Sequence, residues 1–487
     1  ALKVNMDNDW KYLHGRLDPG NDATAKIVEF IPPKELPPDE VYHGKKMLDD
    51  SGSSSARNIK SIPVRKAVTA TSLLILPSEI IDHVLSYLAP LDLVSISGTC
   101  RVLNSHAKSD LHWRRHVQEN VPGVRLESAA PAQSFRELYS AHDPHWFLTK
   151  YKIWFSDYFL TGKLIVVRYD PRRACIEGYR LVAERPPPTF DPWEFDDEVL
   201  IHSFEPKARL HIDQPVLKLD ADLPDQVSDA RSRGKGKGRV SYQPRYANEI
   251  SMPIHERSHY GVRSNFFHAR RVREMPRMQL WPPPTVPARH RVRNESQQSF
   301  AGSGHRPQSR SEISDQSFRV RRWMDMAAGQ PIPGVHLGEE VYTYATLDPK
   351  LYTPTEDKPY RGIWIGDYSG HGCEFLLMHQ PDDDEPFDPA SLVQEPDETA
   401  EEFETRKHDE RVYRGSIRAI KLTGDPNVPR GEYTFVADDI GKNGFVRVAT
   451  EERFKGARVV KSRGHIAQTM FRDGELLHKS EKILSSF

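Results

Sequence analysis

The stretch LPSEIIDHVLSYLAPLDLVSISGTCRVLN, residues 76–104, holds more leucine, isoleucine and valine than a short helical unit can bury within itself. Ser78 is predicted to cap a first helix, Pro90 to end it, and Asp92 to cap a second helix. Apolar side chains recur with helical spacing along the first helix: Ile80, Val84, Leu85 and Leu88. Composition alone also allows an ordinary three-helix core fragment, but the pattern favours a small unit whose apolar face needs a partner.

The whole chain of 487 residues has a formal net charge of −1, and hydrophobic residues make up 37% of it. This share is low for a globular protein, so we expect part of the chain to be disordered. The three cysteines lie far apart, which is typical of free thiols in a reducing compartment. No segment has the pattern of a signal peptide or of a membrane span. We therefore expect an intracellular protein, in the cytoplasm or nucleus, with no membrane contact and no cofactor.

The order of patterns along the chain predicts an α+β multidomain protein. Alternation over residues 153–184 predicts three strands, and many short strands between Gly, Asp and Pro turns favour an antiparallel β-barrel or sandwich. A long basic stretch rich in Pro, Gly and Ser interrupts these strands and is predicted to be a disordered insertion. The predicted segments are a disordered tail (1–70), a three-helix unit (73–120), a helical linker (121–145), the first half of the β domain (146–220), the insertion (221–334), and the second half of the β domain (335–487) with an acidic loop (382–410).

The helical unit resembles the F-box family in the order and spacing of its anchors. These are Leu76-Pro77-Ser78-Glu79-Ile80-Ile81, Leu85, Leu88, Pro90-Leu91-Asp92-Leu93, Cys100-Arg101, Leu103-Asn104 and Trp113-Arg114. The resemblance implies docking to a Skp-type adaptor and, through it, to a cullin–RING ubiquitin ligase. It assigns the following residues to the adaptor interface: Leu76, Pro77, Glu79, Ile80, Ile81, Leu85, Leu88, Pro90 and Leu93.

Three later segments resemble the F-box-only subgroup typified by the mammalian receptor for D-type cyclins and C-terminally amidated proteins. They are YRGIWIGDYSGHGCEFLL (360–377), AIKLTGDPNVPRGEYTF (419–435) and GHIAQTMF (464–471). The resemblance implies a β-barrel that binds substrate proteins. Some members hold a structural zinc with paired Cys and His, but this sequence has no matching pairs, so no metal is predicted.

Two Gly- and Pro-rich turns in these segments are candidates for the rim of a binding site, since binding residues sit on loops held by a rigid scaffold. GDYSGHG (366–372) predicts a hairpin turn, and TGDPNVPRGE (423–432) predicts a rigid loop that is either structural or edges a binding mouth. The candidate substrate-binding residues in and beside these turns are Trp364, Asp367, Tyr368, His371, Asp425 and Arg430.

Other motifs have an enzymatic or nucleic-acid interpretation that their context disfavours. HERSH (255–259) matches the zinc-protease pattern, but it lies in an Arg-rich stretch without a third ligand. Ser369 and His371 lie between strand patterns and not on the strand-to-helix elbow that a serine hydrolase needs. The basic insertion carries aromatics among its arginines, which nucleic-acid binding would use, but a charged linker is the commoner case. The acidic loop is either solvated or paired with that insertion.

The sequence thus predicts a non-catalytic substrate receptor of a Skp–cullin–F-box ubiquitin ligase. The F-box docks the adaptor, and the β domain binds an unknown substrate protein for ubiquitination and proteasomal degradation. The specific hypothesis is that it binds a short peptide or the C-terminal tail of that protein. The alternative is an F-box protein that acts outside a ligase, with a barrel that binds a small molecule or has a structural role.

Overall fold

The computed structural model describes most of the helical unit and of the β domain. The described residues are 2–4, 73–184, 189–193, 196–203, 206–223, 249–252, 254, 262–271, 306–325, 336–368, 371–383, 387–450, 455–464 and 478–484. Apart from residues 2–4, the predicted N-terminal tail lies outside this set.

In the described part of the chain, six short α-helices precede the β domain and a seventh lies within it. They are α1 (Ser78–Leu85), α2 (Pro90–Ser97), α3 (Arg101–Ala107), α4 (Asp110–Asn120), α5 (Phe135–His142), α6 (Phe147–Tyr151) and α7 (Ala400–Val412). Ser78 is the first helical residue of α1 and not its cap, which is Pro77. Pro90 begins α2, where its missing N–H costs nothing, and Asp92 lies in the first turn of α2.

The strands that the structure describes form two eight-stranded antiparallel sheets and one two-stranded ribbon. The first sheet has the order β7-β4-β3-β2-β11-β10-β9-β8 and the ribbon is β5-β6. Their bounds are β2 (Ile153–Ser156), β3 (Lys163–Asp170), β4 (Cys175–Glu184), β5 (Thr189–Trp193), β6 (Asp196–Ser203), β7 (Lys207–Asp220), β8 (Ile250–Ser251), β9 (Val262–Arg270), β10 (Ile313–Asp325) and β11 (His336–Ala345).

The second sheet has the order β1-β12-β13-β14-β15-β17-β16, and β18 pairs with β17. Its strands are β1 (Leu2–Val4), β12 (Gly362–Asp367), β13 (Cys373–His379), β14 (Ile417–Lys421), β15 (Tyr433–Ala437), β16 (Phe445–Val448), β17 (Arg458–Gly464) and β18 (His478–Leu484). The expectation of an antiparallel barrel or sandwich is confirmed as two curled antiparallel sheets that act as half-barrels.

Period-two alternation sorts the strand side chains into layers. Trp154 packs against the helices, whereas its neighbours Ile153 and Phe155 pack against the second sheet. On the second sheet, Leu377 faces the first sheet and Met378 faces the opposite side, toward the end of α7. The helices, the first sheet, the second sheet and α7 therefore follow one another as layers.

The prediction of one disordered insertion over 221–334 is corrected, because three strands lie within this range: β8, β9 and β10. Phe266 and Phe318 of these strands are buried completely in the core beneath the helices. The arginines of β10 obscure the pattern, because they alternate with the apolar residues that face this core. β11, on the far side of the predicted boundary at 335, pairs with β10 and β2, so the first sheet extends to Ala345. The predicted acidic loop 382–410 is also corrected, since its last third forms α7.

Candidate functional site

Helix α1 presents one apolar face to its own core and another to solvent. Ile81 and Leu85 are 2% and 1% exposed, whereas Ile80, Val84 and Tyr87 are 46%, 42% and 71% exposed. The three exposed positions follow the i, i+4, i+7 spacing of a single helix face. So many exposed large apolar side chains on one short helix indicate an interaction surface.

Helix α2 and the turn before α1 contribute further exposed apolar side chains. Leu91 and Val94 are exposed on α2, while Leu93 between them is fully buried. Residues 73–76, a single helical turn and its end, are all exposed and all apolar. We call the exposed apolar residues on α1 and α2 the F-box face: Ile80, Val84, Tyr87, Leu91 and Val94.

The nine predicted adaptor residues divide into three groups in the structure. Leu76, Pro77, Glu79 and Ile80 are exposed, and Leu88 and Pro90 are half-buried. Ile81, Leu85 and Leu93 belong to the internal core of the unit, so they support the surface from beneath. Val84, Tyr87, Leu91 and Val94 were not among the predicted residues. Helical spacing from Ile80 is the signal that identifies the two on α1.

A shared carboxylate fixes α1 on the helices behind it. Oδ1 of Asp82 lies 2.8 Å from Nδ1 of His106 on α3 and 3.2 Å from Nε2 of His112 on α4. Trp113 of α4, which is buried, donates from Nε1 to the carbonyl of Ala107. These contacts hold the F-box face in one orientation relative to α4.

A chain of aromatic rings joins α4 to the first sheet. The ring centroids of Trp113 and Tyr139 are 5.4 Å apart, those of Tyr139 and Trp146 are 6.3 Å apart, and those of Trp146 and Tyr169 are 5.6 Å apart. Trp113, Trp146 and Tyr169 share one buried core with α5 and β3. The helical unit and the β domain are thus packed together directly, through α5 and α6, and not joined by an open linker.

Three loops meet at one end of the two sheets, and we call them together the loop surface. They are residues 157–162 of the first sheet, the β12–β13 turn (366–368 and 371–372), and residues 423–431 of the second sheet. The N–H groups of Gly424 and Arg430 donate to the carbonyls of Thr161 and Leu160, each at 2.8 Å. These bonds tie the second sheet to the first, so the loops form a continuous surface.

Arg430 is the side chain that locks these loops together. It is 2% exposed, and it donates from Nε to the carbonyl of Phe159 at 2.7 Å and from Nη2 to the carbonyl of Asp157 at 3.1 Å. Burial lowers the pKa of Arg430 to about 10, although Asp157 opposes this shift. Phe159 and Leu160, whose carbonyls both accept hydrogen bonds from Arg430, are 58% and 40% exposed and leave an apolar patch on the loop surface.

A buried charge cluster underlies the same surface. Nζ of Lys421 lies 2.6 Å from Oε2 of Glu374 and 2.7 Å from Oδ2 of Asp425, and it sits 3.8 Å from the ring centre of Tyr368. Burial raises the pKa of Glu374 to about 8, which Lys421 only partly opposes. Burial also acts to raise the pKa of Asp425, but hydrogen bonds from Lys421 and the Val428 N–H outweigh it and bring the value to about 2. Burial thus favours the neutral form of Glu374, whereas the hydrogen bonds to Asp425 favour its charged form.

The six predicted substrate-binding residues range from exposed to buried. His371 is exposed, and its Nε2 lies 3.0 Å from Nδ2 of Asn427. Tyr368 is half-buried over Lys421, Asp367 is half-buried beside it, and Trp364 packs into the core on the α7 side of the second sheet.

The prediction that Asp425 and Arg430 contact the substrate is corrected, because both side chains are buried and form hydrogen bonds within the protein. They build the loop surface from beneath and are not its exposed rim. Sequence reasoning missed Phe159, Leu160 and Lys421. Only the positions of Phe159 and Leu160 in a turn gave a local signal.

Of the residues with an enzymatic interpretation, the structure describes only His371. The HERSH residues 255–259 and Ser369 lie outside the described residues. The predicted hairpin is present, with the Tyr368 N–H donating to the Gly372 carbonyl at 2.9 Å. In the described part of the chain, no group of three or more His, Cys, Asp or Glu side chains is placed to hold a metal ion, and no helix is long and apolar enough to cross a membrane.

Comparison with known proteins assigns both regions. A family model described as F-box-like matches residues 73–119. A second model, described as the Cyclin D1 binding domain, matches residues 344–484, which hold every strand of the second sheet except β1. No curated protein matches the chain. The chain therefore carries an F-box-like domain followed by a Cyclin D1 binding domain, and this arrangement is that of an F-box-only protein with a C-terminal cyclin D1-binding region.

Proposed function

We propose that this protein is the substrate-receptor subunit of a Skp–cullin–F-box ubiquitin ligase. Its F-box face docks a Skp-type adaptor and, through it, a cullin–RING ligase. Its β domain holds a substrate protein for ubiquitination and subsequent proteasomal degradation. The protein itself catalyses no step; it acts by keeping the substrate close to the ubiquitin-loaded enzyme.

The observation that carries this proposal is the F-box face itself. An apolar surface of this size on a unit of about 45 residues would be costly if it stayed in contact with water. The matched model covers this unit, including α1 and α2, from residue 73 to residue 119. We therefore assign the docking contacts to the exposed side chains Ile80, Val84, Tyr87, Leu91 and Val94.

The direct packing of the helical unit on the β domain supports the receptor role. A receptor must hold its substrate at a fixed distance and angle from the ligase, because transfer depends on proximity and orientation. The aromatic chain from Trp113 to Tyr169 supplies such a rigid connection. A flexible linker between the two regions would not.

We place the substrate contact on the loop surface. It combines the exposed apolar side chains of Phe159 and Leu160 with the polar pair His371 and Asn427. Apolar anchors beside a few oriented polar groups are what protein–protein recognition uses. The Cyclin D1 binding domain model contributes two of the three loops, and this makes a cyclin-like protein or a similar regulatory protein the substrate class of choice.

The test is a titration of the purified full chain with a purified Skp-type adaptor, followed by isothermal calorimetry. Ile80→Asp combined with Leu91→Asp places two charges in the F-box face and should weaken adaptor binding at least a hundredfold. Ile212→Asp is the control, since Ile212 is 61% exposed on β7 and does not belong to the F-box face. Its adaptor affinity should equal that of the wild type.

The same variants then enter an affinity purification from cells. The double variant should lose adaptor and cullin together while it keeps proteins bound to the β domain. Equal adaptor affinity in the double variant and the wild type, with both folded by circular dichroism, would refute the docking assignment. Adaptor binding without any cullin in the purified complex would instead favour a role outside a ligase.

A further inference from the structure

A concave surface lies on the side of the second sheet that faces α7, opposite the first sheet. It is a groove of about 660 Å³ between α7 and the strands β16 and β17. One wall is the face of α7 that carries Glu401, Thr405 and Asp409, and the other carries Phe445 and Arg458. Its volume is in the range of ligand and peptide sites. The proposed receptor function makes no use of it.

The basic side chains that line this groove already have partners within the protein. Arg406 forms two bonds with Glu398, at 2.8 and 2.7 Å, and Lys442 lies 2.7 Å from Glu410. Arg458 lies between two rings, 4.6 Å from the ring centre of Tyr413 and 4.4 Å from that of Phe445.

Two acidic side chains on the α7 wall, unlike these basic ones, lack partners within the described part of the chain. Among the described residues, the carboxylates of Glu401 and Asp409 have no hydrogen-bond or ion-pair partner. They are eight residues apart, with Thr405 midway, so all three lie on one ridge of the helix. Asp409 is half-buried, and this burial raises its pKa although Arg458 and His408 oppose the shift. A further cation in the groove would therefore relieve a desolvated carboxylate.

The floor of the groove ends at the edge strand β16. This strand pairs with β17 on one side, and within the described part of the chain no strand pairs with its other side. Phe445, Val446 and Val448 are 36%, 36% and 53% exposed on it. An apolar edge strand is a template for an added strand, which gains main-chain hydrogen bonds.

We propose that this groove binds an extended, lysine- or arginine-bearing segment of a partner protein, which adds to the edge of β16 and pairs its basic side chains with Glu401 and Asp409. The spacing defines the segment further. Eight helical residues separate the two carboxylates by about 12 Å. Residues i and i+4 of an extended strand are about 13 Å apart and point to the same side. The segment thus carries basic residues four positions apart, with apolar residues between them to cover Val446 and Val448.

The test uses the full-length protein and fluorescence anisotropy of labelled synthetic peptides. The probe is a nonapeptide with the central sequence Lys-Val-Thr-Val-Lys, and its charge-reversed partner carries Glu-Val-Thr-Val-Glu. The wild type should bind the basic peptide and not the acidic one. Glu401→Gln combined with Asp409→Asn should weaken binding of the basic peptide at least tenfold.

A matched control separates the site from overall charge. Glu127→Gln combined with Asp213→Asn removes the same two charges from exposed positions elsewhere, and its affinity should stay within twofold of the wild type. Equal weakening in both double variants, equal binding of the acidic peptide, or no binding of the basic peptide to the wild type would each overturn the proposal. None of these outcomes bears on adaptor docking, so the receptor function stands or falls separately.

Discussion

Lys421 and Asp425 form an ion pair inside the β domain, with Nζ 2.7 Å from Oδ2 and the two residues 0% and 6% exposed. The pair fixes the start of the loop 423–431, because the other oxygen of Asp425 accepts the N–H groups of Asn427 and Val428. The loop surface, which we propose to bind the substrate, is thus held in shape by an ion pair that is buried beneath it.

Removal of the cation should strongly destabilise the protein. Lys421→Met leaves the carboxylate of Asp425 buried without its ionic partner, and such a break costs about 3–5 kcal/mol of unfolding free energy. Urea unfolding followed by tryptophan fluorescence measures this loss. Lys350→Met is the control at an exposed position and should change stability by less than about 0.5 kcal/mol. A loss below about 1 kcal/mol for Lys421→Met would contradict the role given to this pair.

Glu374 should give the protein a pH-dependent stability that one substitution removes. Its carboxyl has an ordinary pKa of 4.5 in the unfolded chain and about 8 in the folded protein. The stabilising contribution is therefore complete below pH 4.5 and is lost as the pH rises toward 8. Glu374→Gln cannot titrate, so its unfolding free energy should lack this decline.

Urea unfolding of both proteins at several pH values from 5 to 8 measures the difference between them. Each unit of pKa shift corresponds to about 1.4 kcal/mol, so the wild type should lose more than about 1 kcal/mol relative to Glu374→Gln across this range. Burial also lowers the pKa of His379 to about 4, but this histidine is present in both proteins, so its contribution cancels in the comparison. Parallel stability curves would show that Glu374 does not hold its proton.

Replacement of Arg430 by lysine should destabilise the protein, although the positive charge is retained. A lysine has no second nitrogen in the planar fork that reaches both the Phe159 and the Asp157 carbonyls. We expect Arg430→Lys to cost about 2–3 kcal/mol, as unpaired buried acceptors do. Arg209→Lys is the control, because Arg209 pairs with Glu184 at the surface and should lose less than about 0.5 kcal/mol. Equal losses for the two substitutions would argue against a locking role.

Substitutions at two adjacent residues of α1 should have separate effects, one on stability and the other on adaptor binding. Leu85 is 1% exposed and Val84 is 42% exposed. Leu85→Ala should therefore cost about 2–5 kcal/mol of stability, whereas Val84→Ala should leave stability nearly unchanged and weaken the adaptor affinity several-fold. Thermal unfolding and calorimetric titration with the adaptor measure the two effects. The reverse result would return Leu85 to the interface, as the sequence alone predicts.

The F-box-like unit and the middle of the chain differ in how far the sequence could be interpreted. The F-box-like unit was predictable because its anchors are close in sequence and their spacing encodes the helices. The strands β9 and β10 were not, because arginines alternate with the apolar residues of β10 and because β9 pairs with β10 across a long basic stretch of sequence. Long-range pairing, and not local pattern, makes Phe318 a core residue.

The sequence by itself determined the F-box-like unit, the antiparallel β domain and the turns at 366–372 and 423–431, because local periodicity and turn chemistry depend on near neighbours. Only the tertiary structure decided which side of each element is covered. It buried Leu85 and exposed Val84, and it turned Asp425 and Arg430 inward against Lys421 and the loop 157–162. Burial is a property of the whole fold, since a side chain becomes core only when a distant segment packs over it.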